Sequence, residues 1–184
     1  MNRILDGLVA GAALLLVSPL LFIVAIAIKS DSKGPVVFRQ QRIGLNAQPF
    51  DILKFRSMVV DAPKLGTFST SENDPRITKV GRFIRRTSID ELPQLINVFK
   101  GDMSLIGPRP DVPAQRQLYT DAEWVERHLV RPGITGLAQA TLRSSGTEEQ
   151  RKTLDLQYVR TVSWLVDLRI LLMTVRQVIL KGGN

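Results

Sequence analysis

The densest group of chemically active side chains in this 184-residue sequence is an acidic pair, Asp90 and Glu91. Three arginines lie within the nine residues that precede Glu91: Arg82, Arg85 and Arg86. Pro93 follows two residues later. Because proline is tolerated in the first turn of a helix and not in its interior, we expect a helix that begins near Asp90.

Two explanations of this pair are open on the residues alone. Asp90 can cap a helix while Glu91 complements the helix dipole, and acidic helix starts are common. Alternatively, the surrounding cations keep Asp90 ionised and neutralise an incoming phosphate, so that its carboxylate attacks phosphorus and forms an acyl phosphate. Glu91 then ligates Mg²⁺, which proteins typically hold through one or two carboxylates plus substrate oxygens.

The composition restricts this chemistry further. The chain has no cysteine and one histidine, His128, which excludes thiolate catalysis, disulfides and zinc held by cysteines or by several histidines. Any nucleophile is therefore a carboxylate or a hydroxyl. Any metal has oxygen ligands, which favours Mg²⁺ or Mn²⁺. We expect His128 to be structural, or at most a peripheral contact.

Three loops rich in proline, glycine and arginine accompany the acidic pair. In residues 107–110 (GPRP) two prolines restrict the backbone around Arg109, whose planar guanidinium suits bidentate phosphate binding. Residues 131–136 (RPGITG) place Arg131 beside glycines that allow close backbone approach. Residues 74–81 (DPRITKVG) are polar and basic. Each loop taken alone is also explained as an ordinary turn or as solvent-exposed chain.

The elements that must position these residues begin with an apolar segment. From Gly7 to Ile28 no residue is charged, a run of 22, and about 20 apolar residues suffice to span a membrane. Ser18 and Pro19 lie near its centre, where proline bends a helix. Positive residues flank both ends, which draws both toward the cytoplasm. A bent helix that returns to the same face and a straight, kinked span explain these residues equally well.

The middle of the chain alternates short strand-like segments with helices. Residues 35–44 and 50–58 predict a β-hairpin, and residues 61–80 predict a loop. Further helices are expected at residues 80–87, 91–100 and 112–129.

The last part of the chain predicts an amphipathic helix. Residues 154–180 carry apolar side chains at helical spacing, and Tyr158 and Trp164 are residue types that settle at lipid-headgroup depth. A stripe of this kind is more commonly packed on the protein's own core, but because the chain also has an apolar membrane segment, we favour a helix that lies in a membrane interface. The formal charge of +8 favours anionic partners, which include lipid headgroups, phosphorylated substrates and nucleic acid.

Taken together, the motifs resemble those of the monotopic phosphoglycosyl transferases, the bacterial sugar transferase family that starts glycoconjugate assembly. The resemblance covers nearly the whole chain, and several long motifs occur in the expected order: residues 54–58 (KFRSM), 74–76 (DPR), 88–94 (SIDELPQ), 107–110 (GPRP) and 131–136 (RPGITG).

The resemblance implies a mixed α/β, mostly helical fold. Residues 1–30 would form a re-entrant membrane hairpin, helix-break-helix, with Ser18 and Pro19 at the break. Residues 31–184 would form a small catalytic domain on the cytoplasmic face of the bacterial inner membrane, with interfacial amphipathic helices at its C-terminal end. The chain would be a minimal member of the family, without the additional transmembrane helices of its large members.

The resemblance also implies a ping-pong reaction. Asp90 would attack the β-phosphate of a UDP-sugar, releasing UMP and leaving a phosphosugar-aspartyl intermediate, which polyprenyl phosphate would then attack. Mg²⁺ or Mn²⁺ would be held at Glu91 and Asp90. Five further residues would bind substrate: Lys54, Arg56, Arg85, Arg109 and Arg131.

Other interpretations remain. The same fold could carry out direct transfer in a ternary complex, with both carboxylates acting on a metal. A non-catalytic, membrane-anchored basic module would explain the charge but not the acidic pair. We expect UDP-sugar, polyprenyl phosphate and membrane lipids as partners and no nucleic acid, and the motifs leave the sugar and a homodimer open.

Overall fold

The computed structural model describes residues 3–62, 74–142 and 146–181, with the side chains of residues 178–181 excepted. The described chain contains seven α-helices and four short strands, with short 3₁₀ turns between some of them. The helices are α1 (Arg3–Asp31), α2 (Lys79–Arg86), α3 (Gln94–Lys100), α4 (Asp121–Arg127), α5 (Leu137–Leu142), α6 (Glu148–Thr161) and α7 (Trp164–Lys181). The strands are β1 (Val37–Ile43), β2 (Pro49–Phe55), β3 (Ser104–Ile106) and β4 (Gly133–Thr135). The predicted mixed, mostly helical fold is confirmed.

The apolar segment forms one helix, α1, of 29 residues. The predicted division into helix, break and helix at Ser18 and Pro19 is therefore wrong for the backbone, because the helix continues through Pro19. Proline has no N–H for the carbonyl four residues earlier, and here the Ser18 hydroxyl donates to that carbonyl, on Leu15, at 2.8 Å. The serine supplies the hydrogen bond that the proline cannot.

Helix α1 packs on the globular part through both of its halves. In the first half, Ala10 belongs to a buried cluster with Ile52, Leu95, Val98 and Met103. In the second half, a separate cluster forms where α1 meets β2 and α2: Val24, Ile28, Phe55 and Ile84. The helix therefore lies against the domain along most of its length.

Polar contacts fasten both ends of α1 to the same domain. At its start, Arg3 donates to the carbonyls of Val98 and Phe99 at 3.1 and 2.6 Å. The buried Asp6 accepts from the Ser104 hydroxyl at 2.8 Å. At its end, Asp31 accepts from the backbone N–H of Val80 at 3.0 Å. Neither end is free to move away from the domain.

The outer face of α1 is apolar and exposed. Its most exposed side chains are Ile4, Leu8, Leu15, Leu16, Phe22 and Ile23. By length and composition, α1 is the one helix in the described chain that could cross a membrane. A continuous apolar face of this kind marks a surface that contacts lipid or protein.

The predicted hairpin is confirmed, and a second strand pair was not predicted. Strands β1 and β2 pair antiparallel, with Val37 opposite Phe55 and Ile43 opposite Pro49. Strands β3 and β4 pair in parallel and have three residues each, too few to show an alternating pattern. Their pairing places the 107–110 loop beside the 131–136 loop, and a side chain on Gly107 would meet the Arg131 carbonyl oxygen at 2.3 Å.

Two predicted helices are each divided in the structure. Residues 112–129 form a 3₁₀ turn (Pro113–Leu118) and then α4, because Thr120 and Glu123 form a capping box that starts a new helix. The stretch 154–180 is divided between α6 and α7.

The two aromatic residues of this stretch have different surroundings. The predicted headgroup position of Tyr158 is wrong, because its ring is buried and its hydroxyl donates to Asp167 at 2.8 Å. Trp164 is 71% exposed at the start of α7. Only Trp164 is therefore placed to contact a lipid interface.

The predicted loop at residues 61–80 ends earlier than expected, since α2 begins at Lys79. Residues 63–73 of this loop lie outside the described residues.

We predict that Arg56→Lys lowers the free energy of unfolding by about 1–3 kcal/mol, because lysine cannot replace a buried guanidinium fork. Arg56 is 5% exposed and donates to the Lys33 carbonyl and to the carbonyl and hydroxyl of Ser32, at 2.8–2.9 Å. Thermal unfolding in detergent measures the loss. Arg39→Lys is the matched control, since Arg39 is exposed on the same hairpin. Equal melting temperatures for the two variants would contradict this role.

Candidate active site

The acidic pair lies on a short 3₁₀ turn, Ile89–Glu91, between α2 and α3. Ser88 enters the turn with a left-handed backbone (φ 57°), which reverses the chain after α2. The predicted helix start near Asp90 is wrong, because α3 begins at Gln94 with Pro93 as its N-cap. Asp90 therefore does not cap α3, and the capping explanation of the pair does not hold.

Two cations from distant segments converge on one oxygen of Glu91. The Lys54 ammonium, on β2, lies 2.6 Å from Glu91 Oε1, and Arg109 Nη2, on the 107–110 loop, lies 3.2 Å from the same atom. These contacts bring together residues separated by 37 and 18 positions. Glu91 thus joins the hairpin, the 3₁₀ turn and the GPRP loop at one point.

The two carboxyl groups have opposite electrostatic surroundings. Burial opposes ionisation of Glu91, but Arg109 and Lys54 outweigh it and hold its pKa at about 2. Burial, and after it the charge of Glu91, raises the pKa of Asp90 to about 6, although Lys54 and Arg85 pull it down. The sequence predicted that nearby cations keep Asp90 ionised. The structure shows that they only partly offset burial and the neighbouring carboxylate.

Asp90 is the carboxylate that remains available. Within the described chain it forms no salt bridge, whereas Oε1 of Glu91 is held by two cations. A carboxylate with a pKa of about 6 is mostly ionised at neutral pH and retains the basicity that a nucleophile needs. Pairs of acidic groups whose surroundings push their pKa values apart are typical of catalytic sites.

The residues present fit a divalent cation that is also bound by a substrate. The described residues contain no group of three or more acidic or histidine side chains that could hold a metal alone. Asp90 and the second oxygen of Glu91 offer the one or two carboxylate ligands that are typical of Mg²⁺ sites completed by substrate phosphates.

Two arginines hold the GPRP loop by its backbone. Arg42, on β1, donates to the Pro110 carbonyl at 2.9 Å, and Arg127, on α4, donates to the Arg109 carbonyl at 2.8 Å. Neither residue was identified as functional from the sequence. Arg42 sits in an ordinary polar strand, and Arg127 had no signal beyond being a charged residue in a segment predicted to be helical. Their contacts place the Arg109 side chain beside Glu91.

Arg127 is itself fixed in a buried ionic network. It is 3% exposed and pairs with Asp111 and with Asp155, the latter at 2.7 Å. Burial, opposed by Arg127 and aided by Asp155, raises the pKa of Asp111 to about 6. His128 is also buried, and the centroid of its ring lies 4.2 Å from that of the Trp124 ring. This agrees with the structural role expected for it.

The structure brings some of the predicted site residues together and places others elsewhere. Lys54 and Arg109 contact Glu91 directly, and the charge of Arg85 lowers the pKa of Asp90. Arg56 bonds to the link between α1 and β1, and Arg131 donates to the Gly101 carbonyl at the far end of α3, at 3.0 Å. Substrate contacts by Arg56 and Arg131 stay predictions.

An apolar helix fastened to a small domain, with a carboxylate pair among cations, defines a class of protein suited to anionic substrates near a membrane. Residues 1–181 match the family model described as bacterial sugar transferase, and the chain belongs to that family. This confirms the family predicted from the motifs.

Named relatives share this sequence at substantial identity. The chain is 47% identical over 187 residues to the undecaprenyl-phosphate glucose phosphotransferase of Komagataeibacter xylinus, and 46% identical over 186 residues to the UDP-glucose:undecaprenyl-phosphate glucose-1-phosphate transferase of Escherichia coli (strain K12). These matches cover 96% and 95% of this chain but only 35% and 40% of those two relatives.

A third relative is matched over nearly its whole length. The exopolysaccharide production protein PSS of Rhizobium leguminosarum bv. phaseoli is 42% identical over 193 residues, which cover 99% of this chain and 96% of that protein.

We predict that Arg127→Met destabilises the fold by about 3–5 kcal/mol, because it leaves two buried carboxylates without their cation. Adding Asp111→Asn and Asp155→Asn to the same chain removes those charges and should recover more than half of the loss. Melting temperatures of the three forms in one detergent provide the measurement. A triple variant no more stable than Arg127→Met would show that packing, and not charge, holds this network.

Proposed function

We propose that this chain transfers a sugar-1-phosphate from a UDP-sugar to polyprenyl phosphate, giving polyprenyl-diphosphate-sugar and UMP. The observation that carries the proposal is the acidic pair, in which Glu91 is neutralised by Lys54 and Arg109 while Asp90 has no salt bridge among the described residues. The Escherichia relative is named as a transferase of glucose-1-phosphate between UDP-glucose and undecaprenyl phosphate, and the Komagataeibacter relative as an undecaprenyl-phosphate glucose phosphotransferase.

The first step is attack by Asp90. A carboxylate oxygen of Asp90 forms a bond to the β-phosphorus of the donor as the bond from that phosphorus to the bridging oxygen breaks, and UMP leaves with the electron pair. Lys54, Arg85 and Arg109 place positive charge beside the reacting carboxylates, which stabilises the charge that develops on the phosphoryl oxygens. The product on the protein is a phosphosugar-aspartyl intermediate, in which the phosphate is joined to Asp90 as an acyl phosphate.

The second step returns Asp90 to its starting state. A phosphate oxygen of polyprenyl phosphate attacks the phosphorus of this acyl phosphate. The bond between that phosphorus and the Asp90 oxygen breaks, and Asp90 leaves as a carboxylate. Mg²⁺ or Mn²⁺, held by Asp90, Glu91 and substrate oxygens, would supply charge neutralisation of the diphosphate when bound. Two steps through one carboxylate require no second nucleophile from the chain.

We predict that Asp90→Asn lowers the rate of UMP release by about a thousand-fold or more, because asparagine keeps the shape and removes the nucleophile. The measurement is UMP released from a panel of UDP-sugars with polyprenyl phosphate and Mg²⁺. The matched control is Asp51→Asn, which changes an exposed aspartate on β2. A folded Asp90→Asn protein with wild-type turnover would rule out Asp90 as the nucleophile.

The same proteins distinguish the two reaction schemes. With donor labelled in the sugar and no lipid acceptor, the ping-pong scheme predicts label bound covalently to the wild type and not to Asp90→Asn. Turnover that needs both substrates together, with no trapped adduct and no UMP release from donor alone, would favour direct transfer in a ternary complex.

We also propose that α1 enters and leaves the membrane on the cytoplasmic face. A helix of 29 residues is about 43 Å long, more than the roughly 30 Å hydrocarbon layer. A straight crossing would put its ends on opposite sides, yet Arg3 and Asp31 both bond to the same domain. The exposed apolar face then lies in lipid while the domain, with its carboxylates, stays on one side.

We predict that cysteines placed before and after α1 react from the same side. The chain has no cysteine, so Asn2→Cys and Lys33→Cys each carry a single thiol. In sealed vesicles with the cytoplasmic face outward, a membrane-impermeant maleimide should label both. Phe22→Cys, in the exposed apolar face, is the control and should react only after detergent is added. Labelling of the two end positions from opposite sides would show that α1 crosses the membrane.

A further inference from the structure

A cavity of about 440 Å³ opens beside the acidic pair, and it extends from the GPRP loop into a part of the domain to which the sequence motifs assign nothing. It lies between the GPRP loop, the 3₁₀ turn Pro113–Leu118, α5 and α6, and its walls include Arg42, Arg109, Tyr119, Gln139 and Lys152. Arg109 belongs to both places, because it lines the cavity and also contacts Glu91 at 3.2 Å. The guanidinium group of Arg109 therefore lies between the cavity and the acidic pair.

The charge of Arg42 is only partly offset where the cavity meets the acidic pair. Arg42 donates to the Pro110 carbonyl and to the side-chain oxygen of Gln40, and its buried Nε has no hydrogen-bond partner. Within the described chain Arg42 has no salt bridge. Burial and the neighbouring Arg109 lower the pKa of the Arg42 guanidinium to about 10, although Asp111 and Glu91 raise it. Two cations are thus held close enough to repel each other.

Two other cations of the cavity wall, Lys152 and Arg127, are paired with carboxylates. Lys152 pairs with Glu123 and Glu149 at 3.2 and 3.1 Å. Arg127 pairs with Asp111 and Asp155. An anion that entered the cavity would therefore be drawn to the end that holds Arg42 and Arg109.

The local charge matches a diphosphate. Three cations, Lys54, Arg85 and Arg109, act on the two carboxylates Asp90 and Glu91. Arg42 is a fourth cation, and the further carboxylate that acts on it, Asp111, is already paired with Arg127. Further inside the cavity wall, both polar atoms of the Gln139 amide are buried without a hydrogen-bond partner. A ligand that carries hydrogen-bonding groups beside its diphosphate would complement both features.

We propose that Arg42 and Arg109 form a clamp for the diphosphate of the donor, and that this cavity receives the nucleoside diphosphate part of the donor. This proposal rests on the proposed function and adds to it a residue and a location. Arginine suits the role because its planar group can bind two phosphate oxygens at once. Arg42 would lose its repulsion with Arg109 when the diphosphate binds between them.

The test is direct binding of UDP and of UMP, measured by calorimetry on the full chain in detergent, without lipid acceptor. Arg42→Gln should weaken UDP binding about 10- to 100-fold, because it removes charge-assisted hydrogen bonds to phosphate. UMP, which lacks the second phosphate, should lose clearly less. Arg42→Lys keeps the charge and loses the fork, so it should fall between the wild type and Arg42→Gln.

The control and the contrary results are distinct. Arg39→Gln changes an exposed arginine three residues earlier on the same strand and should leave both affinities unchanged. If Arg42 only supported the GPRP loop through the Pro110 carbonyl, its variants would weaken UDP and UMP by equal factors, and the clamp would be overturned. Unchanged UDP affinity in Arg42→Gln, with normal wild-type turnover, would also overturn the clamp and leave the proposed function standing. A wild type that neither binds UDP nor turns over any UDP-sugar would overturn both.

Discussion

The attachment of α1 to the domain along its length is the constraint on which the rest of the structure depends. On β2, Phe55 packs on α1 while the preceding residue, Lys54, reaches Glu91. On α2, Ile84 packs on α1 while the next residue, Arg85, acts on Asp90. In both elements the apolar contact with α1 fixes the orientation of the neighbouring cation. The apolar helix is thus also the support on which the charged site is built.

The site separates the roles of two adjacent carboxylates by their surroundings. Glu91 is held ionised by Lys54 and Arg109, whereas burial and the charge of Glu91 make Asp90 more basic. The GPRP loop contributes the Arg109 side chain, because Arg42 and Arg127 donate hydrogen bonds to two carbonyl groups of the loop. A buried ion pair such as that of Arg127 need not add net stability, but the hydrogen bonds from the two arginines fix a side chain of the site in a defined position.

Local patterns predicted the parts of the fold that local physics decides. Alternating residues indicated the β1–β2 hairpin, and the acidic pair among arginines indicated the site. The patterns failed where distant contacts decide. The pairing of β3 with β4 depends on close backbone approach at Gly107, and the burial of Tyr158 depends on Asp167 in the next helix.

The sequence by itself determined the family, the apolar first helix, the acidic pair and the arginine-rich loops, because each of these is a run of neighbouring residues whose chemistry can be recognised locally. Only the tertiary structure decided which of the basic residues reach the pair. In the structure, Lys54 and Arg109 contact Glu91, and Arg85 acts electrostatically on Asp90. Arg56 and Arg131 donate to backbone carbonyls instead. Arg42 and Arg127, which the sequence did not indicate, hold the GPRP loop. The reason is physical: the direction of a charged side chain depends on what the neighbouring apolar residues pack against, and those partners lie far away in the chain.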